Sequence, residues 1–233
     1  MNELLFGLLM IFVYFCILAL IAITIRKTLH IPDEVFRKIL HFILLFSLIV
    51  FLQAFETWWL SCIACVVFVV IVFPILMFFE KFKTFSKVVT ERNKGELKIS
   101  LIVVFLMFAI VIAIGWGWLK DKYIVCASIY SWGLGDAAAA LIGTKFGKQK
   151  IYKKKSLEGT LAMLITSFCL VLGILIARGS LSWYSLIIIP LVVSLSVTAV
   201  ELFTPNGFDT ITCPLTSLIV LTSMLLLFGG LTI

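Results

Sequence analysis

Eight apolar runs, each close to the ~20 residues a helix needs to cross a bilayer, dominate this chain. They cover roughly 4–25, 39–55, 58–79, 99–119, 123–143, 158–177, 183–203 and 212–231. A bilayer core offers no hydrogen-bond partner to the backbone, so only helices and closed barrels can span it. The runs are continuous and lack the alternation of barrel strands. The expected fold is therefore all-α: a polytopic integral membrane bundle of about eight helices, forming a single domain over 1–233. The second run is short. Gly133 and Gly135 interrupt the fifth and predict a broken helix there. With 63% hydrophobic and 13% charged residues, no stretch suits a water-soluble domain. That argues against nucleic-acid binding despite the net charge of +7.

The first run has no basic residues before it and no small-residue cleavage site. It is longer than a signal-peptide core, so it reads as the first transmembrane helix. Sixteen of the 19 Lys and Arg residues fall in the first, third and fifth loops; Lys120, Lys122 and Arg178 lie on the other side. The positive-inside rule puts the basic loops in the cytosol and both termini outside. The positive charge is thus mainly a topology signal. The six cysteines lie in apolar runs or, for Cys213, at the edge of one. Cys62 and Cys65 have no second pair with which to build a zinc site. All six read as small apolar fillers without a disulfide.

The unusual polar groups all fall on the expected cytosolic side. Asp136 lies six residues before Ile142, about 9 Å inside the membrane end at helical rise. A charge at that depth is costly and marks a functional site by default; its plain alternative is a buried ion pair. After it come Gly143, Gly147 and six lysines: Lys145, Lys148, Lys150, Lys153, Lys154 and Lys155. Together they suit an anionic, phosphorylated ligand, or they anchor the helix end. The segment GTKFGK, 143–148, lacks Walker A spacing and ends a helix where a phosphate loop would open one. Ser156 and Glu158 suit an N-cap and a first-turn acid.

Glu201 ends the seventh run, and Asp209 follows the turn at Pro205, Asn206 and Gly207. Neither acid has a basic neighbour in sequence. Both suit a divalent cation, since magnesium takes one or two carboxylates plus substrate phosphates. Otherwise Asp209 is a helix cap. Arg37, Lys38 and His41 stand where the second helix leaves the cytosol, either as site residues or as membrane anchors. Residues 80–98 suit an interfacial amphipathic helix, followed at 91–96 by the mixed-charge segment ERNKGE.

Five pieces in order resemble the polyprenol/phytol kinase group, which includes dolichol kinase, phytol kinase and the CTP-dependent diacylglycerol kinase. They are RKILH (37–41), ERNKGE (91–96), GDAAAALIGTKFGK (135–148), KKSLEGT (154–160), and Glu201 with PNGFDTITCP (205–214). One departure is Thr210 after Asp209, where the group usually has Asn. The resemblance implies a membrane-embedded kinase that phosphorylates a lipid alcohol (an isoprenoid alcohol or diacylglycerol), with CTP as donor and a divalent cation such as Mg2+. On this reading Asp136 binds metal or accepts the hydroxyl proton, and Glu201 and Asp209 are further metal ligands. Lys145, Lys154 and Lys155 neutralise phosphates, while Gly135, Gly143, Gly147 and Ser156, with Arg37, Lys38 and His41, complete the nucleotide site. Glu158 holds a lysine or a metal-bound water. The rivals are a cytidylyltransferase making a CDP-lipid and a membrane transporter. Transport suits a broken acidic helix, but the paired broken helices of an inverted repeat are missing from the sequence.

Overall fold

The computed structural model describes residues 2–29, 31–79, 95–153, 155–205 and 207–231. Its helices are α1 (Glu3–Thr28), α2 (Asp33–Gln53), α3 (Trp58–Phe79), α4 (Glu96–Ile112), α5 (Lys122–Phe146), α6 (Leu157–Arg178), α7 (Ser185–Phe203) and α8 (Asp209–Leu227). A π-helical turn, Ala113–Trp118, extends α4. Two short strands, β1 (Lys150–Tyr152) and β2 (Lys155–Ser156), form an antiparallel hairpin between α5 and α6. Eight spans among the described residues are long and apolar enough to cross a membrane. Large apolar side chains stand exposed along them, among them Leu20, Val70, Ile165 and Ile219. Water-soluble monomers do not carry such continuous apolar surface; a bilayer covers it. The chain is an all-α polytopic membrane bundle.

The chain divides into two compact units, Met1–Ile110 and Val111–Ile233. In the first, α1, α2 and α3 pack on one another around a cluster of Phe15, Phe51, Phe68 and Phe105. The Phe15 and Phe68 rings stack at 4.6 Å, and Phe105 meets Phe68 at 4.8 Å. Glu3 accepts the Glu56 and Thr57 N–H groups at 2.9 and 3.3 Å, satisfying donors at the start of α3.

In the second unit, α5 packs on α6, α6 on α7, α7 on α8, and α8 returns to α5. The interior contains hydroxyls as well as apolar groups. Ser131 Oγ lies 2.9 Å from Ser217 Oγ, and Ser167 Oγ donates to Ser131 O at 2.5 Å. Such bonds join helices where lipid supplies no hydrophobic drive for their association.

The break expected at Gly133 and Gly135 does not occur: α5 runs unbroken from Lys122 to Phe146. Gly135 serves close approach instead. A Cβ there would lie 2.7 Å from Ser167 Oγ and 3.2 Å from Met163 Cγ, so the missing side chain lets α6 come against α5. The irregular backbone falls at the π turn, where Leu119 N–H reaches Ile114 O at 2.9 Å. A Cβ at Gly115 in that turn would press Val125 Cγ2 at 2.7 Å. Asp121 then caps α5 by accepting Tyr123 N–H at 2.9 Å. Its other oxygen accepts from Arg178 Nε at 2.6 Å, while Arg178 Nη2 donates to Gly230 O at 2.6 Å. One guanidinium thus joins the start of α5, the end of α6 and the C-terminal segment. Trp116, Trp118, Trp183 and Tyr184 occupy the turns at this end, as interfacial aromatics do.

Candidate functional site

The opposite end of the second unit gathers the polar residues. Here α5 ends, the hairpin crosses, α6 begins, α7 ends and α8 begins. The seam between α5 and α6 is closed by small residues. Ser156 caps α6 by accepting Gly159 N–H at 3.2 Å. Around its hydroxyl, a Cβ at Gly143 would lie at 3.2 Å, at Gly147 2.7 Å and at Gly159 3.2 Å. The amide of Gly147 is taken by Gly143 O at 3.1 Å. Gly143, Gly147 and Ser156, expected at the phosphate, pack together and fix the hairpin against the helix ends.

From that seam β2 projects Lys155 toward α7. Its ammonium lies 2.8 Å from Glu201 Oε1 and also donates to Glu201 O. Glu201 is buried, with 8% of its side chain exposed. The carboxylates of Asp136 and Asp209 are its like-charged neighbours. Three acids from α5, α7 and α8 therefore share one region with one inserted lysine. The hairpin is held a second time by Tyr152, whose ring meets Phe203 edge-on at 5.6 Å. Asp209 stands in the first turn of α8 and accepts Thr210 N–H at 3.0 Å, a favourable place for negative charge.

Glu158 occupies the first turn of α6, next to the backbone amides of Lys148 and Gln149. Its Oε2 is buried and has no hydrogen-bond partner among the described residues. Lys145, Lys148, Lys150 and Lys153 are exposed around the hairpin, and Lys153 makes the turn with φ of 51°. Lys154 lies outside the described residues, as does 80–94, which holds most of the expected amphipathic helix and the first four residues of ERNKGE.

Arg37, Lys38 and His41 belong to α2 in the first unit. Arg37 Nη2 pairs with Glu34 Oε1 at 2.6 Å, Lys38 is buried, and the His41 ring lies 6.4 Å from that of Phe42.

Among the described residues, no three His, Cys, Asp or Glu side chains are close enough to form a metal cage. Magnesium needs only one or two carboxylates when phosphates supply the other oxygens. Asp136, Glu201 and Asp209 are the residues able to provide them.

Two features escaped the sequence reading. A cavity of about 540 Å³ lies between α7 and α8, lined by Ala199, Val200, Phe203, Thr204, Pro205, Phe208 and Thr212. At 100° per residue its α7 lining faces away from Glu201, so it is not part of the acidic region. The second is Thr198, 6% exposed, whose hydroxyl has no partner among the described residues. Its spacing of three before Glu201 was the available signal, lost in an apolar run. No family model, curated protein or solved structure matches the chain.

Proposed function

We propose that the chain is a membrane-embedded kinase. It transfers the terminal phosphate of a nucleoside triphosphate, CTP by the resemblance above, to the hydroxyl of a lipid alcohol. The observation that carries this reading is the gathering of Asp136, Glu201 and Asp209 beside Lys155 at the end of a bundle rimmed with lysines. Phosphoryl transfer needs positioning and charge neutralisation more than covalent protein chemistry. The exposed lysines supply positive charge for the phosphates. The acids supply oxygen ligands for magnesium, which would neutralise charge on the transferring group. Asp136, on α5, is the candidate to bind that metal or accept the hydroxyl proton. The lysine-rich end faces the cytosol, where nucleotide is available, and the alcohol arrives from the bilayer.

The test uses purified protein with magnesium, γ-labelled CTP or ATP, and phytol, farnesol, a long polyprenol or diacylglycerol. Label in a lipid phosphate is the expected result and names donor and acceptor together. Release of pyrophosphate with formation of a CDP-lipid would replace the kinase with a cytidylyltransferase. Nucleotide-independent movement of substrate into liposomes would replace both with a transporter.

A further inference from the structure

We infer that Thr198 is the residue that binds the hydroxyl end of the lipid alcohol, one helical turn deeper than Glu201. The inference rests on the kinase reading for its ligand class and on Thr198 itself for its position. Thr198 and Glu201 are three residues apart and share a buried face of α7. Side chains on a helix lean toward its N-terminus, so Glu201 leans over the turn that carries Thr198. At 1.5 Å per residue, Thr198 stands about 8 Å in from the end of α7 at Phe203.

The state of its hydroxyl is the second observation. Thr24, Thr204, Thr212 and Thr216 each turn their hydroxyl back onto the carbonyl four residues earlier, at 2.6–3.1 Å. Ser196, beside it on α7, does the same to Val192 O at 2.8 Å. Thr198 Oγ1 is buried and has no partner among the described residues; Ser128 Oγ and Thr222 Oγ1 share that state, but only Thr198 has an acid within one turn of its helix. A buried hydroxyl without a partner is costly, and in native proteins it usually has an explanation in a bound water, ion or ligand. The buried residues nearest it on α7 are Val193, Ser194, Val197 and Glu201, and Cys213 of α8 reaches Val197 O at 3.9 Å. A phosphate buried beside the Glu201 carboxylate is disfavoured there, whereas a neutral hydroxyl joined to an apolar chain is admitted. A hydroxyl can both donate to and accept from another hydroxyl. Thr198 would therefore hold the acceptor oxygen on the bilayer side of the acids while the nucleotide approaches from the lysine side.

The experiment compares wild-type protein with Thr198→Val, which keeps the shape and removes the hydroxyl, and Thr198→Ser, which keeps the hydroxyl. Thr198→Ala is measured beside them, so that either apolar variant that folds will serve. Saturable binding of tritiated farnesol and of 1,2-dioleoylglycerol is measured in nanodiscs without nucleotide. The kinase assay then gives KM for alcohol and for nucleotide. The expected result is a Kd and KM for alcohol raised roughly five- to tenfold in Thr198→Val, the loss of one hydrogen bond. Thr198→Ser stays within about twofold, and the nucleotide KM does not move. Alcohol binding by Thr198→Val equal to wild type would overturn the assignment and indicate a water at that hydroxyl, leaving the kinase reading intact. Wild-type protein that neither binds nor phosphorylates an alcohol would overturn both.

Discussion

Lys155 and Glu201 are 46 residues apart in sequence, yet their side chains meet at 2.8 Å. The pair joins the hairpin to the end of α7, and its carboxylate side is almost wholly buried. Removing one partner of a buried pair leaves an uncompensated charge, at a cost of ~3–5 kcal/mol. Because 23% of the Lys155 side chain is exposed, Lys155→Met is expected to destabilise the protein by about 3 kcal/mol. The double variant Lys155→Met/Glu201→Leu should recover most of that loss. Thermal unfolding in detergent measures both; a double variant no more stable than the single one would contradict the pairing.

Asp136→Asn keeps the size and removes the charge. Deleting one electrostatic contribution at a reacting centre costs about 10²–10³ in turnover. A loss of that size is expected in the phosphotransfer assay, with an unfolding midpoint close to wild type. Near-normal turnover in purified Asp136→Asn protein would remove Asp136 from the reaction.

Gly147→Ala tests the seam under the hairpin. The added methyl would lie 2.2 Å from Gly143 O and 2.7 Å from Ser156 Oγ, and backbone must move to admit it. Overpacking of this kind costs about 1–3 kcal/mol. Ser156→Ala, which removes only the cap, should cost about 1 kcal/mol. Equal stability of Gly147→Ala and wild type would show that the seam is looser than described.

At the far end, Arg178→Leu breaks the ion pair with Asp121 and the bond to Gly230 O. Both charged side chains are mostly buried, at 13% and 11% exposure, so a loss of about 3 kcal/mol is expected. The end carrying Lys155 and Glu201 is a helix length away, so KM for nucleotide should not change in the fraction that stays folded. A selective rise in that KM would show the two ends to be coupled.

The helices were legible because hydropathy over some twenty residues is a strong local signal. Their ends were less so: α2 begins at Asp33, well before the apolar run, because Asp33 and Glu34 suit a first turn without being apolar. Gly135 misled because a glycine in an apolar run signals either a break or a close approach, and only the position of Ser167 distinguishes them. The hairpin was hidden by its lysines, which read as phosphate partners or a helix-end anchor and not as strands, although Lys150–Tyr152 pairs with Lys155–Ser156. Asp136, Glu201 and Asp209 stood out singly as acids in apolar surroundings. Their shared region and the contact with Lys155 depend on the path of three helices, which no local pattern encodes.

The inserted lysine ties the charge balance at this end of the bundle to the hairpin that carries it. While Lys155 sits on Glu201, the buried carboxylate is neutralised from within the chain. An anion that draws the ammonium away strands that carboxylate beside two others of the same sign. If the proposed kinase reaction takes place here, free nucleotide would meet opposition that a magnesium–nucleotide complex would not, because the complex would deliver a replacement cation as it takes the lysine.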